Sequence, residues 1–189
     1  MYSDVVFPDG NEEEFIEMAK KLGYGGLFFI YPIEKLKKNE SITKGINIKK
    51  GSISDIKNFQ KAKRLTGFVI VKGSKNDRHV LEKLKPSILF DLESGFQKDF
   101  MHHRASGLNQ VLCKIAEKNK VAIGFSISSD SKILGRIRQN IRLCRKYKVK
   151  TIIASFAKDP YEMRPPHDLI AMFICLGMHP SEAKNSLSF

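Results

Sequence analysis

Long apolar runs are missing from this chain. Although 42% of its 189 residues are hydrophobic, no stretch approaches the roughly 20 consecutive apolar residues that a membrane-spanning helix needs. Residues 1–4 also lack a basic start followed by an apolar run, which argues against a signal peptide. We therefore expect a cytoplasmic protein with no membrane partner.

Cysteine is scarce and widely spaced. The three cysteines, Cys113, Cys144 and Cys175, show no Cys-x-x-Cys spacing. An odd count at this separation fits neither a disulfide framework nor a zinc site. We expect all three to be buried thiols.

Acidic side chains are outnumbered, with 20 Asp and Glu against 33 Lys and Arg, and the net charge is +13. The excess is uneven, because residues 1–91 carry a net charge of +5 and residues 92–189 carry +8. Basicity of this degree indicates a polyanionic partner. We expect the second half of the chain to face that partner.

Seven short apolar segments alternate with amphipathic ones, which indicates an α/β fold. The predicted strands cover residues 2–7, 27–30, 45–48, 67–71, 87–92, 121–127 and 151–155. The sixth is almost continuously apolar, which favours a parallel sheet buried on both faces. The pattern fits a closed barrel or an open doubly wound sheet and does not choose between them. The length favours a single domain, residues 1–189.

The predicted helix over residues 130–147 is basic. Eight basic residues and no acidic one occur between Lys132 and Lys150. Apolar residues line one side of this helix, and the opposite arc carries Lys132, Arg136, Arg138, Arg142, Arg145 and Lys146. Like charges repel, so a bare cationic surface indicates a neutralising partner, and arginine suits phosphate. An unpaired solubility surface is the alternative.

A second concentration of polar groups is the run at residues 100–113, Phe-Met-His-His-Arg-Ala-Ser-Gly-Leu-Asn-Gln-Val-Leu-Cys. It lies between the fifth predicted strand and an amphipathic helix. We therefore predict a strand-to-helix corner, where free N–H groups and the helix dipole favour an anion. The candidate contacts in this run are His102, His103, Arg104 and Asn109.

Each of these candidates also has a structural interpretation. One histidine could pack beneath the rim formed by the strand ends, Arg104 could pair with Asp99 or Asp91, and Asn109 could cap a helix. Lys72 is a further candidate, because Lys72-Gly73-Ser74-Lys75 precedes a predicted helix. The full P-loop spacing is missing there, so an ordinary turn is the favoured interpretation of this segment.

Catalytic groups are sparse. His102 and His103 are adjacent, so their side chains diverge and cannot readily share one metal ion. The carboxylates at strand ends could form an acid–base pair, but caps and turn acceptors are the favoured interpretation. These carboxylates are Asp4, Asp9, Asp91 and Glu93. We assign no catalytic residue and no metal ligand.

The run at residues 100–113 resembles the signature of one family, protein component 3 of archaeal ribonuclease P, related to the thirty-kilodalton subunit of the eukaryotic enzyme. The resemblance extends from Ser3-Asp4-Val5-Val6-Phe7 to Arg164-Pro165-Pro166-His167-Asp168-Leu169-Ile170. It implies a TIM-barrel-like fold, an incomplete barrel of about seven parallel strands ringed by helices.

The resemblance also implies a role in tRNA processing. Family members are subunits of the ribonucleoprotein endonuclease, a hydrolase, that removes the 5′ leader of precursor tRNA. The RNA subunit is catalytic and holds Mg²⁺, so this chain alone is expected to be inactive and to carry no cofactor. The implied partners are ribonuclease P RNA, a small ferredoxin-like protein subunit, other ribonuclease P proteins and, indirectly, precursor tRNA. Through its basic surface the chain would contact RNA backbone and shape.

Two alternatives remain. One is a stand-alone metal-dependent phosphoesterase of the same barrel architecture, although the first strand lacks the His-x-His that such barrels carry. The other is a general RNA-binding module. Under the favoured hypothesis, replacing Arg136 and Arg142 with alanine weakens RNA binding and flattens its salt dependence.

Overall fold

Seven parallel strands follow one another around the molecule in chain order. The computed structural model describes residues 1–35 and 46–189. The strands are β1 (Ser3–Val6), β2 (Gly26–Pro32), β3 (Asn47–Ile53), β4 (Val69–Lys72), β5 (Ile88–Phe90), β6 (Ala122–Phe125) and β7 (Thr151–Ile153). The sheet forms a nearly closed barrel, which confirms the TIM-barrel-like prediction and rules out the open doubly wound sheet.

The first and last strands close the ring without a regular ladder. A single bridge joins Val6 to Ala157, and the Phe7 N–H donates to the Ala157 carbonyl at 2.8 Å. The Asp4 carboxylate accepts from the backbone N–H and the hydroxyl of Ser155, each at 2.7 Å. One buried side chain therefore supplies much of the bonding across this seam.

Helices connect the strands and cover the outside of the barrel. They are α1 (Glu12–Leu22), α2 (Phe59–Thr66), α3 (Asp77–His79, continued by a π-helical turn Val80–Leu84), α4 (Gln110–Lys118), α5 (Ser131–Lys146), α6 (Pro166–Cys175) and α7 (Pro180–Ser186). Short 3₁₀ turns occur at Ile33–Lys35, Leu92–Gly95 and Pro160–Glu162. None of the helices within the described ranges has the length and apolarity to cross a bilayer.

The apolar core has two layers, because neighbouring strand residues point in opposite directions. Val5 belongs to one buried cluster and Val6 to the other. The Val6 cluster includes the helical residues Phe15 and Ile137, so it lies between sheet and helices. The Val5 cluster fills the barrel interior. Burial on both faces explains why β6 is almost continuously apolar.

The third strand differs most from its prediction. We predicted a strand at residues 45–48, whereas β3 continues to Ile53. Pairing with β2, including Phe28 opposite Lys49, keeps these residues in the strand. Gly45, the first residue of the predicted strand, lies outside the described residues.

One further prediction is wrong, and one helix was not predicted. Cys113 and Cys144 are buried as expected, but Cys175 is exposed. Cys175 lies two residues beyond the buried Phe173 in α6, which places it about 200° around the helix from the core. The sequence also gave no prediction of α7, which begins at Pro180 after a capping box formed by His179 and Glu182.

Candidate RNA interface

The segment between β5 and α4 lies against α5, and we call residues 96–109 the motif loop. After the 3₁₀ turn Leu92–Gly95 the chain forms no regular helix until Gln110. Gly107 makes this path possible. Its φ is +80°, and a Cβ on it would overlap the backbone of Leu92. The glycine of the motif therefore serves close backbone packing.

One arginine of α5 holds the motif loop. The Arg136 side chain is only 1% exposed. Its Nε donates to Oδ1 of Asp99, and its Nη1 donates to the carbonyl oxygens of Glu93 and Phe96, all at 2.7 Å. Asp99 also accepts from the Ala105 N–H at 2.9 Å. Arg136 thus binds three points on the chain leading into and through the loop.

The next turn of α5 extends this polar network. The Nδ2 of Asn140 donates to Oε1 of Glu93 at 2.7 Å and to the carbonyl of Ser106 at 2.8 Å. Nε2 of Gln139 donates to the Ser106 hydroxyl at 2.9 Å. These bonds fix the far end of the loop. Ser106 is therefore buried against α5 and does not cap α4.

Burial and hydrogen bonding shift the pKa values of the two carboxyl groups in this network in opposite directions. Burial raises the pKa of Glu93 to about 7, and hydrogen bonding by Asn140 offsets only part of that effect. The Ala105 N–H and then the Arg136 guanidinium lower the pKa of Asp99. Asp99 is therefore the stable anionic partner of Arg136.

Arg136 corrects our sequence prediction. We placed it on the exposed cationic arc of α5, but it lies beside Ile133 and Asn140 on the side that faces the loop. Spacings of three and four residues bring these positions together. The sequence analysis considered Glu93 only as a strand-end carboxylate and Asp99 only as a partner of Arg104, and it missed Gln139 and Asn140. The available signal was a polar pair, Arg136 and Asn140, inside the apolar spacing of the helix.

The predicted helix-start site is also wrong in its geometry. α4 begins at Gln110, and the Asn109 side chain accepts from the Leu112 N–H at 2.9 Å. Asn109 is thus the helix cap, as its structural interpretation proposed. His102, His103 and Arg104 lie earlier, on the exposed part of the motif loop. These three side chains are therefore not part of an anion site at the free N–H groups of α4.

Both histidines are exposed, so the interpretation that one packs beneath the rim of the barrel is wrong. The His103 ring stacks on Phe100, with ring centroids 4.6 Å apart and an interplanar angle of 25°. The Phe100 N–H donates to the His103 carbonyl at 3.0 Å. Within the described ranges no three His, Cys, Asp or Glu side chains form a group that could hold a metal ion.

A shallow groove of about 490 Å³ runs beside the motif loop along α5. Its lining residues are Arg104, Gly135, Arg138, Gln139, Arg142, Leu143 and Lys146. We call it the Arg104 groove. Four of these residues are cations and none is acidic. Within residues 1–35 and 46–189 none of the four forms an ion pair.

Gly135 allows the Arg104 side chain to lie directly on α5. A Cβ at Gly135 would overlap the Arg104 guanidinium. The groove thus joins one cation of the motif loop to the exposed cations of the helix. Of the predicted site residues, the structure brings together Arg104, Arg138 and Arg142.

The remaining predicted cations lie outside this groove. Arg145 makes a bidentate pair with Glu182 at 2.6 and 2.7 Å and also donates to the Gly177 carbonyl. Lys72 pairs with Asp91 at 2.9 Å. Lys132 is exposed in the first turn of α5 and does not line the groove.

Each carboxylate at a strand end has a structural partner. Asp4 binds Ser155, and burial raises its pKa to about 6. Asp9 pairs with Lys35, and Glu93 binds Asn140. With Asp91 held by Lys72, all four make structural contacts, but these are ion pairs and hydrogen bonds to distant segments and not the helix caps and turn acceptors that we favoured.

The fold and the site together define the class of protein: an incomplete β/α barrel with an arginine-rich groove on its flank. The chain belongs to the RNase P subunit p30 family, whose model matches residues 1–188. It is accordingly a ribonuclease P protein subunit.

Curated relatives and a solved structure agree with this assignment. Ribonuclease P protein component 3 of Methanosarcina mazei is 30% identical over 203 residues, covering 96% of this chain and 82% of the relative. The protein of the same name from Methanothermobacter thermautotrophicus is 26% identical over 196 residues, covering 90% and 77%. A chain in the cryo-EM structure of archaeal ribonuclease P with mature tRNA has the same fold, with a TM-score of 0.76 and 20% identity. The match covers 98% of this chain and 87% of that one.

Proposed function

We propose that this ribonuclease P subunit binds the phosphate backbone of the ribonuclease P RNA in the Arg104 groove. The observation that carries the proposal is the convergence of Arg104, Arg138, Arg142 and Lys146 without an acidic neighbour in the lining. Their mutual repulsion is relieved when phosphates bind and displace counterions. The planar guanidinium donates two hydrogen bonds to one phosphate, which favours arginine in this position.

In this proposal the chain supports a reaction that another molecule performs. The RNA subunit cleaves the 5′ leader of precursor tRNA and holds the Mg²⁺, and this chain carries no cofactor. The carboxylates at the strand ends support a non-catalytic role for this chain, because each already makes a structural contact. These carboxylates are Asp4, Asp9, Asp91 and Glu93. Family membership favours this role over that of a stand-alone metal-dependent phosphoesterase.

The proposed partners follow from the assembly. They are the ribonuclease P RNA, a small ferredoxin-like protein subunit, other ribonuclease P proteins and, indirectly, precursor tRNA. The proposed compartment is the cytoplasm. Since the groove is on one flank of the barrel, other surfaces are available to protein partners.

A comparison of two arginines in α5 tests the proposal. Arg142→Ala is expected to weaken binding to ribonuclease P RNA about tenfold, since one charged hydrogen bond is lost. The slope of log affinity against log salt is expected to fall by about 0.9 for one phosphate contact. Both quantities are measured by fluorescence anisotropy on the full chain at several salt concentrations.

Arg145→Ala is the matched control, because it removes the same charge from a residue already bound to Glu182. We expect it to change RNA affinity much less than Arg142→Ala. Equal losses from the two substitutions would show that total charge, and not the groove, determines binding. An unchanged salt slope for Arg142→Ala would also contradict the proposal.

A further inference from the structure

The motif loop exposes an unusual amount of apolar surface for a short segment. Phe96 is 43% exposed, Phe100 is 55% exposed and Met101 is 92% exposed. The three lie within six residues of one another. Exposed apolar side chains that cluster in this way mark interaction sites more often than isolated ones do.

This apolar surface is held in place. Arg136 binds the carbonyl of Phe96 and the carboxylate of Asp99, and Phe100 is bonded to His103 through the backbone. The rings of Phe96 and Phe100 are 6.2 Å apart at 58°. A ring whose backbone is already fixed loses little conformational entropy on binding a partner. The loop is therefore preorganised for a flat ligand.

The stacking between Phe100 and His103 indicates that this surface suits a planar ring. One aromatic ring already lies on another at 4.6 Å. Unpaired nucleobases extend such stacks, since every base has a π-face, and stacking on an aromatic side chain is tolerant of sequence. An apolar protein side chain could also cover these rings, so the charge around them is the deciding observation.

The charge around the rings complements nucleic acid. The exposed cations of the segment are Lys98 and Arg104, while Asp99 is engaged by Arg136. Arg104 also lines the groove, so the aromatic surface continues into the proposed phosphate site. Arg104 follows Phe100 by four positions, a distance of at most about 14 Å along an extended chain. One RNA strand can contact both.

We propose that the motif loop stacks an unpaired nucleobase of the RNA strand whose phosphates occupy the Arg104 groove. This inference rests on the proposed function and narrows it, because it requires the bound RNA to have a single-stranded or bulged nucleotide at this point. Phe100 supplies the stacking surface and Arg104 the neighbouring phosphate contact.

Two RNA probes of equal length separate stacking from backbone binding. One is a hairpin with an unpaired loop, and the other is a fully paired duplex. Phe100→Leu keeps an apolar side chain and removes the ring. It is expected to weaken hairpin binding at least about fivefold, the lower end of measured base–aromatic stacking. Duplex binding and the salt slope are expected to remain unchanged.

Controls separate this effect from altered folding and from a general loss of RNA binding. Phe100→Tyr keeps the ring and is expected to restore hairpin affinity. Val111→Ala removes apolar surface from an exposed residue of α4. It is expected to leave the affinities for the hairpin and for the duplex unchanged. Arg142→Ala is expected to weaken both RNAs, since a phosphate contact does not depend on unpaired bases.

The outcomes distinguish the two proposals. If Phe100→Leu leaves hairpin binding intact while Arg142→Ala weakens both RNAs, the groove stands and the stacking site is refuted. The stacking site is also refuted if Phe100→Leu impairs assembly with protein subunits and leaves RNA binding unchanged. Equal losses on hairpin and duplex would also refute stacking. If Arg142→Ala affects neither RNA, the proposed function itself fails.

Discussion

The two sides of α5 use arginine for opposite purposes. Arg136 is buried, and its guanidinium is bonded to the chain that enters the motif loop. Arg142, six residues later, is exposed in the Arg104 groove and has no ion pair within the described ranges. The first shapes the surface and the second presents charge to a partner. A count of basic residues therefore overstates the charge that a partner meets.

Arg136 is buried and Arg142 is exposed because the two guanidinium groups have different hydrogen-bond partners. Removing a guanidinium from water is costly, and only several well-formed bonds offset that cost. Arg136 obtains a carboxylate and two carbonyls. Arg142 keeps its hydration and can exchange it for phosphate. Stability and RNA affinity should therefore depend on different arginines of the same helix.

The largest expected effect is on stability. Arg136→Met keeps an unbranched apolar stem but removes the guanidinium, so Asp99 and two carbonyls lose this donor. We expect the free energy of unfolding to fall by about 3 kcal/mol. Arg142→Met, its matched control, should change the free energy of unfolding by less than about 0.5 kcal/mol. Urea denaturation of both variants measures the contrast, and equal destabilisation would contradict it.

The buried side of α5 should also respond to pH through Glu93. Burial raises its pKa from 4.5 to about 7, so between these values the folded state binds more protons than the unfolded state. The free energy of unfolding therefore falls as pH rises through this window, by at most about 1.4 kcal/mol per pH unit from this group.

Glu93→Gln keeps an oxygen that can accept from Asn140 and removes the titration. We expect it to flatten the decline in stability between pH 4.5 and about 7. Asp4 and Asp77, whose pKa values burial also raises, titrate in both proteins, so the difference between the two curves isolates Glu93. Parallel curves would show that Glu93 does not titrate in this window.

The smallest expected effect on stability is that of a substitution at Gly135, which lines the Arg104 groove. Gly135→Ala favours the helix by up to about 1 kcal/mol, but the new Cβ would overlap the Arg104 guanidinium. Arg104 is long and can swing away, so we expect unchanged or slightly higher thermal stability together with weaker RNA binding. Lower stability with unchanged RNA affinity would contradict this account of the groove.

Much of the fold could be predicted from local patterns. Alternating apolar and amphipathic segments gave seven strands, and the predicted helix at residues 130–147 agrees with α5, Ser131–Lys146, capped by Asp130. Closure of the barrel did not follow from periodicity, because open and closed sheets share the same local pattern. β3 was misplaced because its extension past Lys49 depends on pairing with β2.

The site was predicted less well, since it depends on contacts between distant segments. Arg138 and Arg142 were placed correctly on the exposed arc, but helical periodicity could not show that Arg136 meets Asp99, 37 residues away. The cap at Asn109 was recognised only as an alternative. Glu93 was considered as a carboxylate at a strand end, and its bond to Asn140 had no sequence signal.

The contact between Asp4 and Ser155 gives the barrel a natural opening point. Every other pair of neighbouring strands in the described sheet shares a run of backbone bonds, whereas β1 and the chain after β7 meet through the Asp4 carboxylate and two separate amides, those of Ser3 and Phe7. Breathing motions of the ring should therefore begin there, letting the terminal segments part while the flank that carries α5 stays intact.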